Sequence, residues 1–196
     1  NVTSEEVLTY HKEENAYYEA VMKPLKPLAD MLFAEMRGRI KEDDATVPQK
    51  DGDWLYWTDF EQGGEYRRWW RKPLGGGEAV LIVDEPALAK DKEYFRLGGF
   101  SVSNNGRWLA YAYDDNGSER FLVRVKDLET GEHLPDEIPG MLSDIVWTAD
   151  DAGFLYGLAN DQWRTDNARY HRLGSDPADD VELYHEDDEG YRVGVG

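Results

Sequence analysis

The sequence contains no cysteine, which excludes disulfide bonds and thiolate chemistry. It has no apolar stretch long enough to span a bilayer and no charged-then-apolar segment at its start, so neither a membrane protein nor a secretory signal is expected. Positive charge is also scarce, because 22 Lys and Arg residues face 41 Asp and Glu residues and leave a net charge of −19. This charge disfavours nucleic acid as a partner and suits cationic ligands, although surface acid can also simply keep a protein in solution. We therefore expect a cytoplasmic protein.

The first part of the chain, residues 1–46, is predicted to be helical. Pro24 and Pro27 interrupt any single long helix, but Pro27 suits the first turn of a second helix. The apolar residues of this second helix recur at steps of three and four and form one stripe: Leu28, Met31, Leu32, Met36 and Ile40. Such a stripe must pack either against its own domain or, as a strap, across another domain.

Residues 47–196 show the pattern of short β-strands. Runs such as Trp54-Leu55-Tyr56-Trp57 and Ala79-Val80-Leu81-Ile82-Val83 are rich in aromatic and β-branched residues, and glycine-containing turns separate them. An internal repeat aligns residues 103–111 with residues 148–156, so that Tyr111 and Tyr156 lie 45 residues apart. That period is typical of one four-stranded propeller blade.

The repeat predicts a mainly β fold, a partial β-propeller preceded by an N-terminal helical segment. About three four-stranded antiparallel blades are expected, at residues 47–97, 98–140 and 141–190, and residues 191–196 would start a fourth. Because propellers close with about four to eight blades, this ring is expected to be open. The absence of an initiator methionine and the strand-like end at Gly196 indicate a truncated chain. Exposed sheet edges would make the isolated segment self-associate or leave it marginally stable.

Three stretches of the sequence are specific enough to suggest a family: residues 38–44 followed by Val47-Pro48, residues 98–103, and residues 170–177 followed by Asp180-Val181. They resemble the prolyl oligopeptidase family of serine peptidases, and in particular its oligopeptidase B members. The last stretch is the most specific, because it fixes a hairpin, a turn and a proline in one order. The resemblance covers nearly the whole chain. It is weakest at residues 65–70, where the family more often has a proline and smaller residues.

The resemblance implies a seven-bladed propeller, of which this chain holds the first part, covering an α/β-hydrolase domain on which the N-terminal helices pack. It also implies cleavage of short peptides after Arg or Lys, with a propeller that admits short peptides and excludes folded proteins by size. The hydrolase domain, a partner of this segment, would follow in sequence beyond Gly196.

No catalytic residue is identified within the chain, and the chain alone is expected to be inactive. The nearest approach to a G-x-S-x-G elbow contains Ser101, but it lacks the closing glycine and lies in a strand-like run, so Ser101 is assigned a structural role. No metal site or cofactor is predicted, because the acidic runs at residues 114–117 and 186–189 fit solvated turns better than a calcium loop. Surface or hairpin roles are expected for the scattered histidines, which are His11, His133, His171 and His185.

One segment is expected to touch substrate: Leu142, Ser143 and Asp144, just before Trp147 of a predicted inner strand. Through a local match at residues 147–150, the resemblance implies that this segment faces the hydrolase domain and reaches the active site. Leu142 would then offer an apolar contact, and Asp144 would hold negative charge where a cationic peptide enters. The alternative is an inner-strand loop without any ligand contact.

The leading interpretation is the propeller portion of a serine peptidase that acts on short basic peptides. The alternative is a free-standing propeller that binds a protein partner and has no enzyme attached. A G-x-S-x-G motif in the residues that follow would decide between them.

Overall fold

The computed structural model describes residues 4–196, so the first three residues of the predicted helical segment lie outside the described part. The chain forms two compact units, a helical unit that ends at Glu42 and a β-sheet unit, Asp43–Gly196. The sequence-predicted boundary between helical segment and propeller, at residues 46 and 47, lies close to this division.

The helical unit contains α1 (Glu5–Met22), a short 3-10 turn (Lys23–Leu25) and α2 (Lys26–Gly38). Helix α1 begins after Ser4, whose hydroxyl accepts a hydrogen bond from the backbone N–H of Val7 and so caps the first turn. The predicted helical N-terminus is therefore confirmed. The predicted stripe of α2 is exposed, from 45% at Leu32 to 59% at Met31 among its members within the helix. Whether this stripe packs against its own domain or across another domain stays a prediction.

The β-sheet unit consists of three antiparallel four-stranded sheets, and each sheet is one blade. Blade 1 contains β1 (Gln49–Asp51), β2 (Trp54–Phe60), β3 (Arg67–Pro73) and β4 (Val80–Asp84), and is followed by the short helix α3 (Glu85–Ala89). Blade 2 contains β5 (Arg96–Val102), β6 (Trp108–Asp114), β7 (Phe121–Asp127) and β8 (His133–Met141). Blade 3 contains β9 (Val146–Trp147), β10 (Gly153–Tyr156), β11 (Asn167–Arg172) and β12 (Val181–His185), with a 3-10 turn (Pro177–Asp179) before β12. Strands are paired in chain order within each sheet.

The sequence repeat maps onto equivalent strands. Tyr111 lies in β6 and Tyr156 in β10, each the second strand of its blade, and both side chains are fully buried. The predicted mainly β architecture with three four-stranded blades is thus confirmed. The closed ring of seven blades and the individual blade boundaries stay predictions. Residues 191–196 form no strand here, although the N–H of Val193 donates to the carbonyl of Thr165 at 2.8 Å.

The core consists of two clusters of apolar side chains, and each brings neighbouring blades together. One cluster joins Ile82 and Val83 of blade 1 to Leu109 and Tyr111 of blade 2. The other joins blade 2 to blade 3 and has Val125, Ile138, Trp147 and Phe154 among its members. Since each blade buries its apolar face on the next, the faces are stable only as a stack.

Candidate substrate-facing segment

The segment of Leu142, Ser143 and Asp144, called here the 142–144 segment, connects β8 of blade 2 to β9 of blade 3. The N–H of Leu142 donates to the carbonyl of Gly157 at 3.1 Å. The hydroxyl of Ser143 accepts from the N–H of Gly157 at 2.5 Å and donates to the carbonyl of Asp144 at 2.9 Å. The backbone N–H and the carbonyl of Gly157 therefore both bond to the segment and anchor it to blade 3.

Glycine is required at position 157 by the space around it. A Cβ atom there would lie 2.5 Å from Cγ2 of Thr165 and 2.8 Å from the carbonyl oxygen of Asn167. The side chain of Asn167 further fixes the neighbouring backbone, because its amide exchanges hydrogen bonds with the N–H and the carbonyl of Leu158 at 3.1 and 3.3 Å. The anchor of the 142–144 segment is consequently a rigid part of blade 3.

The three side chains of the segment face different surroundings. Leu142 is half-buried and packs against the apolar cluster between blades 2 and 3. Ser143 is engaged in the hydrogen bonds above, and Asp144 is exposed. Within residues 4–196 the carboxylate of Asp144 makes no hydrogen bond or ion pair, so it is free to bind a cationic group.

The direction of the strands shows at which end of the blades Asp144 lies. The first strands of blades 2 and 3 lie side by side, since the indole N–H of Trp147 donates to the carbonyl of Ser101 at 3.1 Å. Because antiparallel strands alternate in direction, the loop that enters a first strand lies at the same end as the loop between the second and third strands. The 142–144 segment therefore lies at the same end as the turns at residues 115–120 and 157–166.

Three cations at this end are engaged by protein groups. Lys92 pairs with Asp115, and Arg96 pairs with Glu119 at 3.4 Å. Arg120 donates to the carbonyls of Ala159 and Asn160 at 2.9 and 2.7 Å. These three cations are therefore not free to pair with the exposed carboxylate of Asp144.

Ser101 and the histidines do not form a catalytic arrangement in the described residues. Ser101 lies in β5 and contributes its carbonyl to the contact with Trp147. His133 contacts the hydroxyl of Tyr111 at 2.8 Å, whereas His185 is exposed near Glu182. Across the described part of the chain, no group of three or more His, Asp or Glu side chains is placed to hold a metal ion. No helix among residues 4–196 is long and apolar enough to cross a membrane.

His171 takes the hairpin position, one of the two roles expected from the sequence, but it is not at the surface. It lies on the hairpin strand β11, as expected, but its side chain is completely buried between Asp136 and Asp180. The sequence held a partial signal, because His171 and Asp180 both belong to the most specific stretch of the family resemblance.

Arg71 is a second residue whose place the sequence did not reveal. Its guanidinium group is buried, lies 3.8 Å over the ring of Trp54, and donates to the carbonyl of Gly106 and, at 3.3 Å, to the carbonyl of Leu128. Arg71 thus connects blade 1 to two turns of blade 2. In the sequence it directly follows Trp69 and Trp70, and this was the available signal.

Comparison with known proteins gives consistent matches along this chain. Residues 2–196 match the family described as prolyl oligopeptidase, N-terminal beta-propeller domain. The chain is 36% identical to dipeptidyl aminopeptidase BI of Pseudoxanthomonas mexicana over 98% of its own length and 29% of that protein. It is 26% identical to protease 2 of Moraxella lacunata over 96% of its own length and 28% of that protein.

Solved structures with similar folds include two oligopeptidases B. The enzyme from Leishmania major superposes with a TM-score of 0.87 at 22% identity, over 95% of this chain and 27% of that one. The enzyme from Trypanosoma brucei, in a closed form with covalently bound antipain, superposes with a TM-score of 0.84 at 28% identity, over 95% of this chain and 26% of that one. The chain therefore spans less than a third of the length of these relatives.

Proposed function

Because the chain belongs to the prolyl oligopeptidase family and matches its N-terminal β-propeller domain, we propose that it is the propeller portion of an oligopeptidase that cleaves short peptides after Arg or Lys. The relatives are named as peptidases, and one of the oligopeptidases B holds antipain covalently. In this proposal the nucleophilic serine and its partners lie on an α/β-hydrolase domain outside this chain. The parent enzyme would need no cofactor.

The propeller acts in this proposal as a filter for substrate size. Each blade packs its apolar face on the next, and such stacking builds a ring with a narrow central opening when enough blades are present. A short unfolded peptide can pass along that opening or beneath the ring, whereas a folded protein is too wide. The filter thereby limits the substrates to short peptides.

The observation that carries the substrate preference is the free carboxylate of Asp144. It is exposed, has no partner within the described residues, and lies on a segment that Ser143 and Gly157 hold rigidly. A fixed anionic group attracts a cationic peptide before the peptide bond is broken. Its interaction with the peptide is about equally strong in the bound complex and in the transition state, so it affects binding more than the rate of bond cleavage. Leu142, half-buried beside it, offers an apolar contact to the peptide.

The proposal is tested by Asp144→Asn in the full-length enzyme. We expect the KM for an Arg peptide substrate to rise about 1.5- to 5-fold, which is the range for one exposed ion pair, with kcat nearly unchanged. The effect should shrink at high salt because counterions screen the charge. Initial rates over a range of substrate concentrations, at low and high ionic strength, measure both quantities.

Asp161→Asn is the matched control, because Asp161 is an exposed carboxylate on the loop between β10 and β11 at the same end of blade 3. It removes the same charge from a different loop and should leave KM nearly unchanged. An unaltered KM for Asp144→Asn at low ionic strength would remove Asp144 from the substrate path. Failure of the full-length protein to react with a fluorophosphonate would instead contradict the serine mechanism and favour a non-enzymatic interaction propeller.

A further inference from the structure

A cluster of ionisable side chains is buried between blades 2 and 3, away from the 142–144 segment. Nδ1 of His171 lies 2.7 Å from Oδ1 of Asp180, and Nε2 of His171 lies 2.7 Å from Oδ1 of Asp136. The hydroxyl of Tyr156 donates to Oδ2 of Asp180 at 2.7 Å. The side chain of His171 is 0% exposed, as is that of Asp180, and that of Asp136 is 1% exposed.

The hydrogen bonds determine the protonation of this cluster. An ionised carboxylate only accepts hydrogen bonds, so the two ring nitrogens of His171 must both donate, and a histidine that donates from both nitrogens is an imidazolium cation. Asp136 Oδ1 accepts a further bond from the N–H of Gly174 at 2.6 Å, whereas Asp136 Oδ2 is buried without a hydrogen-bond partner among the described residues. One cation is therefore enclosed by two carboxylates.

The members of the cluster come from different blades. Asp136 lies on β8 of blade 2, while His171 lies on β11 of blade 3 and Asp180 lies just before β12. The bond between Asp136 and His171 is thus a bond between blades. It lies at the edge of the apolar interface, since the ring of Phe154 packs 5.1 Å from that of His171.

We propose that Asp136 and His171 form a pH-dependent latch that couples blade 2 to blade 3. While the imidazolium is present, it neutralises one of two buried carboxylates and joins the blades through a charge-assisted hydrogen bond. When His171 loses a proton, one ring nitrogen becomes an acceptor that faces a carboxylate oxygen, and two buried carboxylates share no cation. Burying such uncompensated charge is costly, and the interface between the blades opens more often.

The surrounding groups support the direction of the change. Burial by itself would lower the pKa of His171, but the hydrogen bonds and charges of Asp136 and Asp180 outweigh it and raise this pKa above its ordinary value. The other polar neighbours are Tyr156, which donates to Asp180, and Arg169, which donates to the backbone carbonyl of Asp180 at 3.0 Å. The charged His171 therefore stabilises the folded state. This contribution is fully present below about pH 6.5, the pKa of histidine in the unfolded chain, and it is lost as the pH rises through the higher pKa of the folded state.

Hydrogen exchange measured by mass spectrometry tests the latch in the full-length protein. Peptides that cover β8 and β11 are followed from about pH 6 to about pH 9, with exchange times corrected for the base catalysis of exchange. We expect their protection to fall by up to about tenfold for each pH unit between the unfolded and folded pKa of His171, because one proton is released on opening. Peptides of β2 and β4, which both belong to blade 1, serve as the internal reference and should stay constant.

Asp136→Asn removes one carboxylate of the latch. We expect lower protection of β11 at about pH 6 and a smaller further loss toward about pH 9 than in the wild-type protein, because only Asp180 then raises the pKa of His171. Asp127→Asn is the matched control, because Asp127 is also a buried carboxylate of blade 2 but pairs with Arg107, which keeps its charge throughout this range. It should retain the pH dependence of the wild-type protein in β8 and β11.

The wild-type measurement decides the proposal even if Asp136→Asn does not fold. Protection of β8 and β11 that stays constant across the pH range would overturn the latch. An equal loss of protection in β2 and β4 would also overturn it, because the change would then belong to the whole propeller. Neither outcome depends on peptidase activity.

Discussion

At the residue scale, buried polar side chains connect one blade to the next. Arg71 shows the principle most directly, since its guanidinium group bonds two carbonyls of blade 2 and stacks on Trp54 of blade 1. The planar, forked donor can serve both carbonyls at once, which a lysine cannot do. Gly106 allows this approach, because a Cβ there would lie 2.7 Å from the indole nitrogen of Trp54 and φ is +74°.

Arg71→Lys should therefore weaken the interface between blades 1 and 2. The point charge of lysine leaves at least one buried carbonyl without a donor, which costs about 1–3 kcal/mol. Hydrogen exchange of peptides from β3 and β6 measures the free energy of opening at this interface. Arg172→Lys, at an exposed position of β11, is the control and should leave the protection of β3 and β6 unchanged. Unaltered protection of β3 and β6 in Arg71→Lys would show that the clamp contributes little.

At the element scale, each hairpin has its own stabilising contacts. In blade 2 the turn between β6 and β7 is organised by Asp114, which is buried at the end of β6. Its carboxylate accepts from the N–H groups of Asn116 and Gly117, both at 3.0 Å, and of Glu119 at 2.7 Å. These bonds fix a turn in which Glu119 has a positive φ of 53°.

The charge of Asp114 makes this hairpin sensitive to acid. Burial by itself would raise the pKa of Asp114, but the backbone N–H groups of Asn116, Glu119 and Gly117 outweigh it together and lower this pKa. A lowered carboxyl pKa contributes stability that is fully present above about pH 4 and is lost as pH falls through the folded pKa. Asp114→Asn should therefore reduce the protection of residues 115–120 from exchange at neutral pH.

In Asp114→Asn the protection of this hairpin should no longer decrease on acidification, whereas in the wild-type protein it should. Exchange of a peptide spanning residues 115–120, compared at about pH 7, about pH 4 and about pH 2, measures both effects, because the acid-dependent loss falls below about pH 4. Asp115→Asn is the control, because Asp115 belongs to the same turn but accepts only from the side chain of Lys92 among the described residues. Equal behaviour of the two variants would contradict the role given to Asp114.

The strands were predictable from the sequence because their determinants are local. Runs rich in aromatic and aliphatic residues gave β2 and β6, and the 45-residue repeat placed Tyr111 and Tyr156 on equivalent strands. Contacts between blades were not predictable in the same way. His171 meets a carboxylate 35 residues earlier in the chain, and no local pattern identifies which acid that is.

The candidate site could be predicted only in part for the same reason. The family resemblance selected Leu142, Ser143 and Asp144 by their place before Trp147, and the structure puts them in the connection between β8 and β9. The bond from Gly157 to Ser143, which holds the segment, depends on a turn 14 residues further along. Contact of the segment with a substrate stays a prediction until the variants of Asp144 are measured.

At the scale of the whole molecule, the three blades leave an apolar edge on blade 3. Strand β12 lies at the outer end of its sheet, so one row of its N–H and carbonyl groups faces away from the other strands. Val181, Leu183 and Tyr184 on this strand are 53–56% exposed. An exposed strand with apolar side chains is a template for pairing with another chain.

The isolated 196-residue chain should consequently self-associate through this edge. The net charge of −19 opposes the approach of two copies, so association should increase with salt as the repulsion is screened. Light scattering over a range of protein and salt concentrations measures the effect. Leu183→Lys places charge on the edge and should shift the chain toward monomer, whereas Tyr191→Lys, at an exposed position outside the strand, should not. A monodisperse monomer at high salt and high protein concentration would show that the edge of blade 3 does not drive association.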